Sequence, residues 1–388
     1  MRFAINERNF DTVEEYWNRD VFTYSINKAN QDSLSEFRVE LGRFLAVEEK
    51  NIHYMPSGHQ GLEWLLSCRC DTRRLVMAPA FNCSVVEDAI RGAGYLPQLY
   101  DFSPTPGQFD WERVITEMGS SVGVLIVTHY FGVPVDFRPI IDYCSANGIA
   151  IIEDCAHILG GTIGGRQAGT LGDASIFSFN YDKPISLGWG GFALINNSLA
   201  FDGECPSLHR TPSKNEEIEL LSQFVEAMAT RRRMIPYQNS LVLRVLQRAR
   251  LVKLVQFYKD PALSIGAVQA ELGRWCLAHY REVMEHRNRN AITIAEGVKQ
   301  TTWPVGKNVT PAWLKQKLLI QDTDLLKKVS ICCQKRGLRC GNFNWPELIN
   351  GNDSARYLNA EEVASKWIDV PIHQNLDKTK LAELLELL

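Results

Sequence analysis

The chain has 388 residues, enough for two domains with a sizeable core, which excludes a single small module. Its formal net charge is only -3, so no overall field favours nucleic acid or an anionic membrane as a partner. The ten cysteines lack the paired C-x-x-C spacing of a zinc site, and we expect no metal and mostly structural, reduced thiols. No signal core and no apolar run of roughly 18 residues is present, which predicts a cytoplasmic protein without a membrane span.

Short apolar runs alternate with helical patterns between residues 51 and 196. Runs of this kind predict strands that are buried on both faces, as in a largely parallel sheet covered by helices. The runs are Arg74–Ala78, Val122–Thr128, Ile149–Glu153, Ser175–Phe179 and Gly191–Ile195. This part of the chain therefore predicts an α/β domain.

The pattern changes after residue 196. Loop-like segments come first, and the periodicity then predicts four helices: Glu216–Thr230, Leu241–Phe257, Gly266–Asn290 and one that ends the chain from Leu381. We expect a large domain over residues 1–260, with a helical insertion at about 200–260. A linking helix and a smaller C-terminal domain are expected over residues 261–388.

Two titratable residues follow predicted strands. Asp154 ends the apolar run Ile151-Ile-Glu-Asp, and Lys183 comes five residues after Ser178. Pyridoxal 5'-phosphate (PLP) is held in proteins by a lysine as a Schiff base and has an acidic partner at its pyridine nitrogen. The pair fits that cofactor, although each residue alone is more often a helix cap or a surface lysine in a loop.

A turn of small residues, Ser57-Gly58-His59-Gln60-Gly61, precedes an apolar helical run. The exposed N–H groups and the dipole of a helix N-terminus bind anions, so this turn is a candidate phosphate site. Ser178 could add a hydroxyl to the same phosphate. The alternatives are an ordinary serine N-cap at Ser57 and a small residue facing out of a strand at Ser178.

With these elements in order, the chain resembles the DegT/DnrJ/EryC1/StrS family of PLP-dependent, fold-type I aminotransferases, most of which act on nucleotide-linked keto-sugars. The matching segments and the family patterns they resemble are Ser57-Gly58 (S-G-T), Ala78–Asn82 (V-P-S-F-T), His129–Asp136 (H-x-x-G-x-P-x-D), Glu153–His157 (E-D-A-A-Q/H), Phe177–Lys183 (F-S-F-x-x-x-K) and Asp369–His373 (L-P-L-H).

The resemblance implies a large domain with a mixed, mostly parallel sheet flanked by helices, and a smaller C-terminal α/β domain. It implies that Lys183 forms the internal aldimine with PLP and then moves the proton at the substrate carbon. Asp154 would pair with the pyridine nitrogen, and His157 would lie beside the ring hydroxyl. A homodimer with a shared active site is also implied.

The same resemblance assigns the phosphate to Ser57, Gly58, Ser178 and the backbone N–H of His59. Two positions depart from the family pattern. Cys83 stands where an aromatic ring usually stacks on the cofactor. Phe81 lies two positions earlier but is expected to face another way, so it would not supply that ring. Asp260 replaces an asparagine in a segment that reaches the neighbouring subunit's site in the family.

The leading hypothesis is an aminotransferase that moves an amino group from an amino acid, plausibly glutamate, to a nucleotide-linked keto-deoxysugar of lipopolysaccharide or other polysaccharide biosynthesis. Three alternatives stay open: an aminotransferase on a non-sugar ketone, a PLP-dependent sugar dehydratase, and a non-catalytic or regulatory protein on the same scaffold. Lys183 argues against the dehydratase, in which histidine replaces the Schiff-base lysine.

Overall fold

The computed structural model describes residues 18–69, 71–203, 209–234, 260–322, 324–325, 327–329, 331, 356–373, 376 and 378–387. The helices of this part are α1 (Arg19–Lys28), α2 (Ser33–Leu45), α3 (Gly58–Ser67), α4 (Ser84–Gly92), α5 (Trp111–Glu117), α6 (Arg138–Ala146), α7 (Lys214–Met234), α8 (Ala267–Gly297), α9 (Leu358–Lys366) and α10 (Lys378–Leu387). The strands are β1 (Ile52–Met55), β2 (Leu75–Pro79), β3 (Leu96–Tyr100), β4 (Val122–Thr128), β5 (Ala150–Asp154), β6 (Thr162–Ile163), β7 (Arg166–Gln167), β8 (Ala174–Ser178), β9 (Gly191–Ile195), β10 (Val309–Thr310), β11 (Gln316–Leu319) and β12 (Trp367–Val370).

Seven strands form the central sheet, in the order β1-β9-β8-β5-β4-β2-β3. Neighbours from β8 to β3 are parallel, whereas β9 runs antiparallel to both β8 and β1. A single strand therefore runs against the other six. The expected mixed, mostly parallel sheet with flanking helices, the fold-type I arrangement, is confirmed.

Continuous apolar runs explain the strands that the sequence predicted. All seven residues of β4 are buried, because helices cover both faces of the sheet and leave no side exposed to water. The predicted bounds are right for β4 and β9 and differ by one residue for β2, β5 and β8. Strands β1 and β3 were not predicted: β1 has only four residues, and β3 is an edge strand that contains Pro97 and an exposed Leu96.

The helix α8 is longer than the sequence indicated, ending at Gly297 instead of Asn290. It packs against α1 and α2 of the N-terminal region. A side chain at Gly273 would collide with the buried ring of Phe37, and Arg274 Nε lies 2.8 Å from Glu40 Oε1. A glycine at the crossing thus lets the two helices approach closely, while an ion pair fixes their register.

The strands β11 and β12 form an antiparallel pair that joins the large core. Gly132, which follows β4, adopts a φ of 88°, and a side chain there would lie 2.1 Å from the carbonyl oxygen of Ala312. The residues after β4 and the segment before β11 are therefore in direct backbone contact. The division into units at residue 260 stays a prediction.

The remaining expectations concern the later helices, the cysteines and a membrane span. The C-terminal helix is present as α10, and α7 extends the expected helix in both directions. The expected helix Leu241–Phe257 lies outside the described residues. The expectation of reduced cysteines is wrong for Cys68, which is disulfide-bonded, whereas the other four described cysteines are free. None of the helices in the described part of the chain has an apolar stretch long enough to cross a membrane.

Candidate active site

A cavity of about 560 Å³ lies at the carboxyl ends of the parallel strands β2, β4, β5 and β8. Ligands of open α/β sheets bind at this edge, because the loops after the strands diverge there. All eight site residues expected from the sequence line it: Ser57, Gly58, His59, Cys83, Asp154, His157, Ser178 and Lys183. Segments that are more than 120 residues apart in the chain thus meet in one cavity.

Asp154, the last residue of β5, supplies a buried carboxylate. Its Oδ1 accepts a hydrogen bond from the Ala156 N–H at 3.0 Å, and Thr128 faces it from the neighbouring strand. Burial raises the pKa of Asp154, whereas the Ala156 N–H and the nearby Lys183 ammonium oppose that effect. A cationic ring nitrogen beside this carboxylate would favour its ionised form.

Lys183 follows β8 in a short loop, and its side chain is mostly shielded from solvent. Its Nζ lies 3.5 Å from Asp182 Oδ1. His157 is buried and lines the same cavity, three residues after Asp154 in the chain. Burial, and then the positive charge of Lys183, holds the pKa of His157 well below its ordinary value, so its imidazole is neutral.

The N-terminus of α3 forms another part of the cavity wall. Ser57 is the N-cap, and its Oγ accepts from the Gln60 N–H at 3.1 Å. A side chain at Gly58 would lie 3.3 Å from Ser178 Cβ, so the glycine allows the turn to lie directly against β8. The open N–H groups, the dipole of a ten-residue helix and two serine hydroxyls together suit a phosphate group.

Cys83 lies between the cavity and α4, for which it is the N-cap. Burial raises the pKa of its thiol, which is therefore neutral. Phe81 does not line this cavity and is packed in the core, 5.8 Å from the rings of both Phe102 and Tyr130. The structure thus places a neutral thiol, and not Phe81, at this part of the cavity wall.

Behind the cavity, Glu153 accepts four hydrogen bonds in the core. Its Oε1 binds the N–H groups of Leu171 and Gly172 at 2.8 and 2.7 Å, and its Oε2 binds the Gly169 N–H at 2.8 Å. The fourth donor is His129 Nε2 at 2.9 Å, because His129 Nδ1 already accepts from the Val135 N–H. Cys155 lies close enough to complete a trio of metal-ligand types, but His129 and Glu153 are hydrogen-bonded to each other.

The sequence did not identify several groups of the cavity wall. Thr128 Oγ1 accepts from Asn82 Nδ2 at 2.9 Å, which links two strand ends under the cavity. Trp189 forms another part of the wall, and the buried Gln269 side chain donates to its carbonyl and to that of Leu187. Thr128 was detectable as a polar residue ending a buried strand, whereas no local pattern pointed to Gln269.

The carboxylate of Asp260 is paired within its own chain. Its Oδ2 lies 3.2 Å from Arg210 Nε, while the adjacent Pro261 carbonyl accepts from the Gln60 side chain of the same chain. The expected contact of this segment with a neighbouring subunit stays a prediction.

The observed groups fit PLP. A buried carboxylate, a lysine and a helix N-terminal turn suited to an anion line one cavity, and Gly58 in that turn is packed too closely on Ser178 to carry a side chain freely. Any one of these features is common. Their convergence on a single cavity is what favours this cofactor.

Known proteins resemble the chain in sequence and in fold. GDP-perosamine synthase of Vibrio cholerae is 28% identical over 51% of this chain and 54% of its own. L-glutamine:2-deoxy-scyllo-inosose aminotransferase of Streptoalloteichus tenebrarius is 26% identical over 52% of each chain. The chain spans about half the length of these curated relatives. The solved structure of Spr1654 from Streptococcus pneumoniae in its PLP form covers 95% of each chain with a TM-score of 0.71 and 15% identity, which shows the same fold.

The model of one protein family matches residues 10–256, which is most of the chain and includes every residue that the sequence assigned to the cavity. Aminotransferases of that family are PLP-dependent. The chain belongs to the DegT/DnrJ/EryC1/StrS aminotransferase family.

Proposed function

We propose that this protein is a PLP-dependent aminotransferase that moves an amino group from an amino acid to a nucleotide-linked keto-deoxysugar. The observation that carries the proposal is the convergence of Asp154, Lys183 and the Ser57-Gly58 turn on one cavity. The sugar class is supported by the relative named GDP-perosamine synthase.

PLP, when bound, supplies an electron sink that stabilises negative charge at the substrate carbon. Asp154 would keep a positive charge on the pyridine nitrogen, and its burial would strengthen that interaction because the local dielectric is low. Lys183 would hold the cofactor, and its amine would supply the base that removes the proton at the substrate carbon and returns it at the neighbouring position. His157, which is neutral, can accept or donate a hydrogen bond at the ring hydroxyl.

The phosphate is held by the N-terminus of α3 and by the hydroxyls of Ser57 and Ser178. Cys83 gives the ring a small, uncharged neighbour in place of an aromatic face. A thiol offers less contact area than an aromatic ring, so ring stacking contributes less to retaining the cofactor.

The test is the absorption spectrum of the protein with PLP, before and after addition of L-glutamate or L-glutamine. We expect a visible band that depends on Lys183 and is lost when the donor is added. Lys183→Ala removes the band, whereas Lys307→Ala, at an exposed lysine outside the cavity, retains it. A protein that binds no PLP would favour the non-catalytic alternative, and one whose bound PLP responds to no amino acid would refute amino transfer.

An aminotransferase acting on a ketone that carries no nucleotide is the second candidate. It is favoured by the relative whose name specifies an inosose acceptor and a glutamine donor. Protein loaded with the amino group is offered a nucleotide-linked keto-deoxysugar or a keto-cyclitol, and mass spectrometry identifies the aminated product. Amination of the cyclitol alone would replace the first candidate with the second.

A homodimer with a shared site and a cytoplasmic location belong to the same proposal. Light scattering tests the first: a stable monomer that transaminates would exclude a shared site. Fractionation of the source cells tests the second.

A further inference from the structure

A buried charge cluster joins the C-terminal strands β11 and β12. Lys317 and Asp369 are directly opposite each other in the strand pair, and Lys317 Nζ lies 2.7 Å from Asp369 Oδ1. Lys315 Nζ lies 3.5 Å from the other oxygen, Oδ2. Lys317 is fully buried. Within the described part of the chain, two ammonium groups therefore share one carboxylate in the interior.

An aromatic ring connects this cluster with the cavity. Lys317 Nζ lies 4.7 Å from the centroid of the Phe131 ring, close enough for a cation–π contact. The Phe131 ring also lies near His157, whose ring centroid is 5.6 Å away at an interplanar angle of 34°. Phe131 thus contacts both the Lys317 ammonium group and the imidazole of His157, which lines the cavity.

The backbone holds Phe131 in this position. Its φ of 57° lies in the left-handed region, which is unfavourable for a residue with a side chain. Its carbonyl oxygen accepts from the Leu314 N–H at 2.9 Å, in the segment that leads into β11. The segment that carries Lys315 and Lys317 therefore also fixes Phe131, and the strain is maintained by the surrounding structure.

We propose that Lys315 and Lys317, which are held by Asp369, act as positioning residues that keep His157 neutral and in place beside Phe131. The C-terminal strands are then part of the cofactor site, although none of their residues lines the cavity. The role assigned to His157 rests on the proposed function.

Charged groups from two segments of the chain face His157. Lys183 and Asp182 face it from the loop after β8, and Lys315 and Lys317 face it from the segment at β11. The three ammonium groups disfavour an imidazolium ion and Asp182 favours it, while burial works in the same direction as the lysines. Such interactions are strong because the interior screens them poorly. Loss of one buried ammonium group therefore makes protonation of His157 easier.

The experiment is a pH titration of the His157 ring by NMR, in full-length protein labelled at histidine Cε1, with and without PLP. His157→Gln identifies the resonance. Lys317→Met removes the charge and keeps most of the side-chain length, whereas Lys317→Arg keeps the charge. We expect the titration midpoint of His157 to rise in Lys317→Met and to stay near the wild-type position in Lys317→Arg.

A folded Lys317→Met protein with an unchanged His157 titration would overturn the proposal, as would equal shifts in the Met and Arg variants. If Lys317→Met does not fold, Lys315→Met decides by the same criterion, since Lys315 is closer to the surface. Because the titration without PLP needs no cofactor chemistry, its failure is distinct from failure of the proposed function, which the PLP spectrum tests.

Discussion

The substitution Glu153→Gln tests the hydrogen-bond cluster behind the cavity. It keeps the size of the side chain but replaces one carboxylate oxygen with an NH2 group. Each oxygen of Glu153 accepts two hydrogen bonds, so either orientation of the amide turns a donor towards two other donors. Depending on its orientation, the amide NH2 group would face the N–H groups of Leu171 and Gly172, or those of His129 and Gly169.

A buried donor that loses its acceptor costs about 1–3 kcal/mol, so two of them predict a loss of roughly 2–6 kcal/mol in the free energy of unfolding. Glu153 is completely buried, so water cannot replace the missing acceptor. The loop of residues 169–172 leads directly into β8 and from there to Lys183, so loss of these bonds also loosens the segment that positions the lysine.

The assay is urea denaturation followed by tryptophan fluorescence at a fixed protein concentration. We expect a lower midpoint with an unchanged slope, because the surface exposed on unfolding is the same. Glu282→Gln, the same exchange on an exposed position of α8, should stay within about 0.5 kcal/mol of the wild type. Hydrogen exchange should accelerate at the amides of residues 169–172. Unchanged denaturation midpoints and exchange rates in Glu153→Gln would show that these contacts do not stabilise the fold.

Three further outcomes are expected. Burial raises the pKa of Glu217 to about 7, so between about pH 4.5 and 7 the folded chain retains a proton that the unfolded chain releases. In thermal unfolding scans, the stability of the wild type relative to Glu217→Gln should therefore fall as the pH rises through this range. A stability difference that does not change with pH would contradict this. Gly132→Ala should lower the melting temperature more than Gly165→Ala, because both glycines have positive φ but only a side chain at Gly132 would meet another backbone segment. Equal decreases in melting temperature would refute the clash. Asp154→Asn should weaken PLP binding, measured by equilibrium dialysis, whereas Asp142→Asn at an exposed position should not; equal binding in both would exclude the carboxylate's role.

Local sequence patterns were sufficient for the strands that form the centre of the sheet. β4 and β9 are continuous apolar runs bounded by polar or turn residues, and such runs have one stable solution in a sheet covered on both faces. Asp154 and Lys183 could be placed at one edge because carboxyl ends of parallel strands meet there. The strand pattern and the family resemblance both predicted this cavity.

Contacts between distant segments could not be read in this way. Gln269 reaches the Trp189 carbonyl from a helix 80 residues further along, and no periodicity encodes that bond. Lys317 is an ordinary lysine in the sequence, although the fold buries it between Asp369 and Phe131. The buried Glu153 offered a partial signal, since a charged residue within an apolar strand requires partners, but only the structure identifies His129 as one of them.

The contact of α2 with α8 has a consequence for synthesis of the chain on the ribosome. Glu40 and Arg274 are 234 residues apart, and the buried face of α2 around Phe37 packs beside Gly273. At about 5–20 residues per second, translation takes on the order of 10 to 50 s to cover that distance. During this interval the apolar face of α2 has no α8 to cover it. The apolar face of α2 is therefore a part of the nascent chain that a chaperone would protect during this interval.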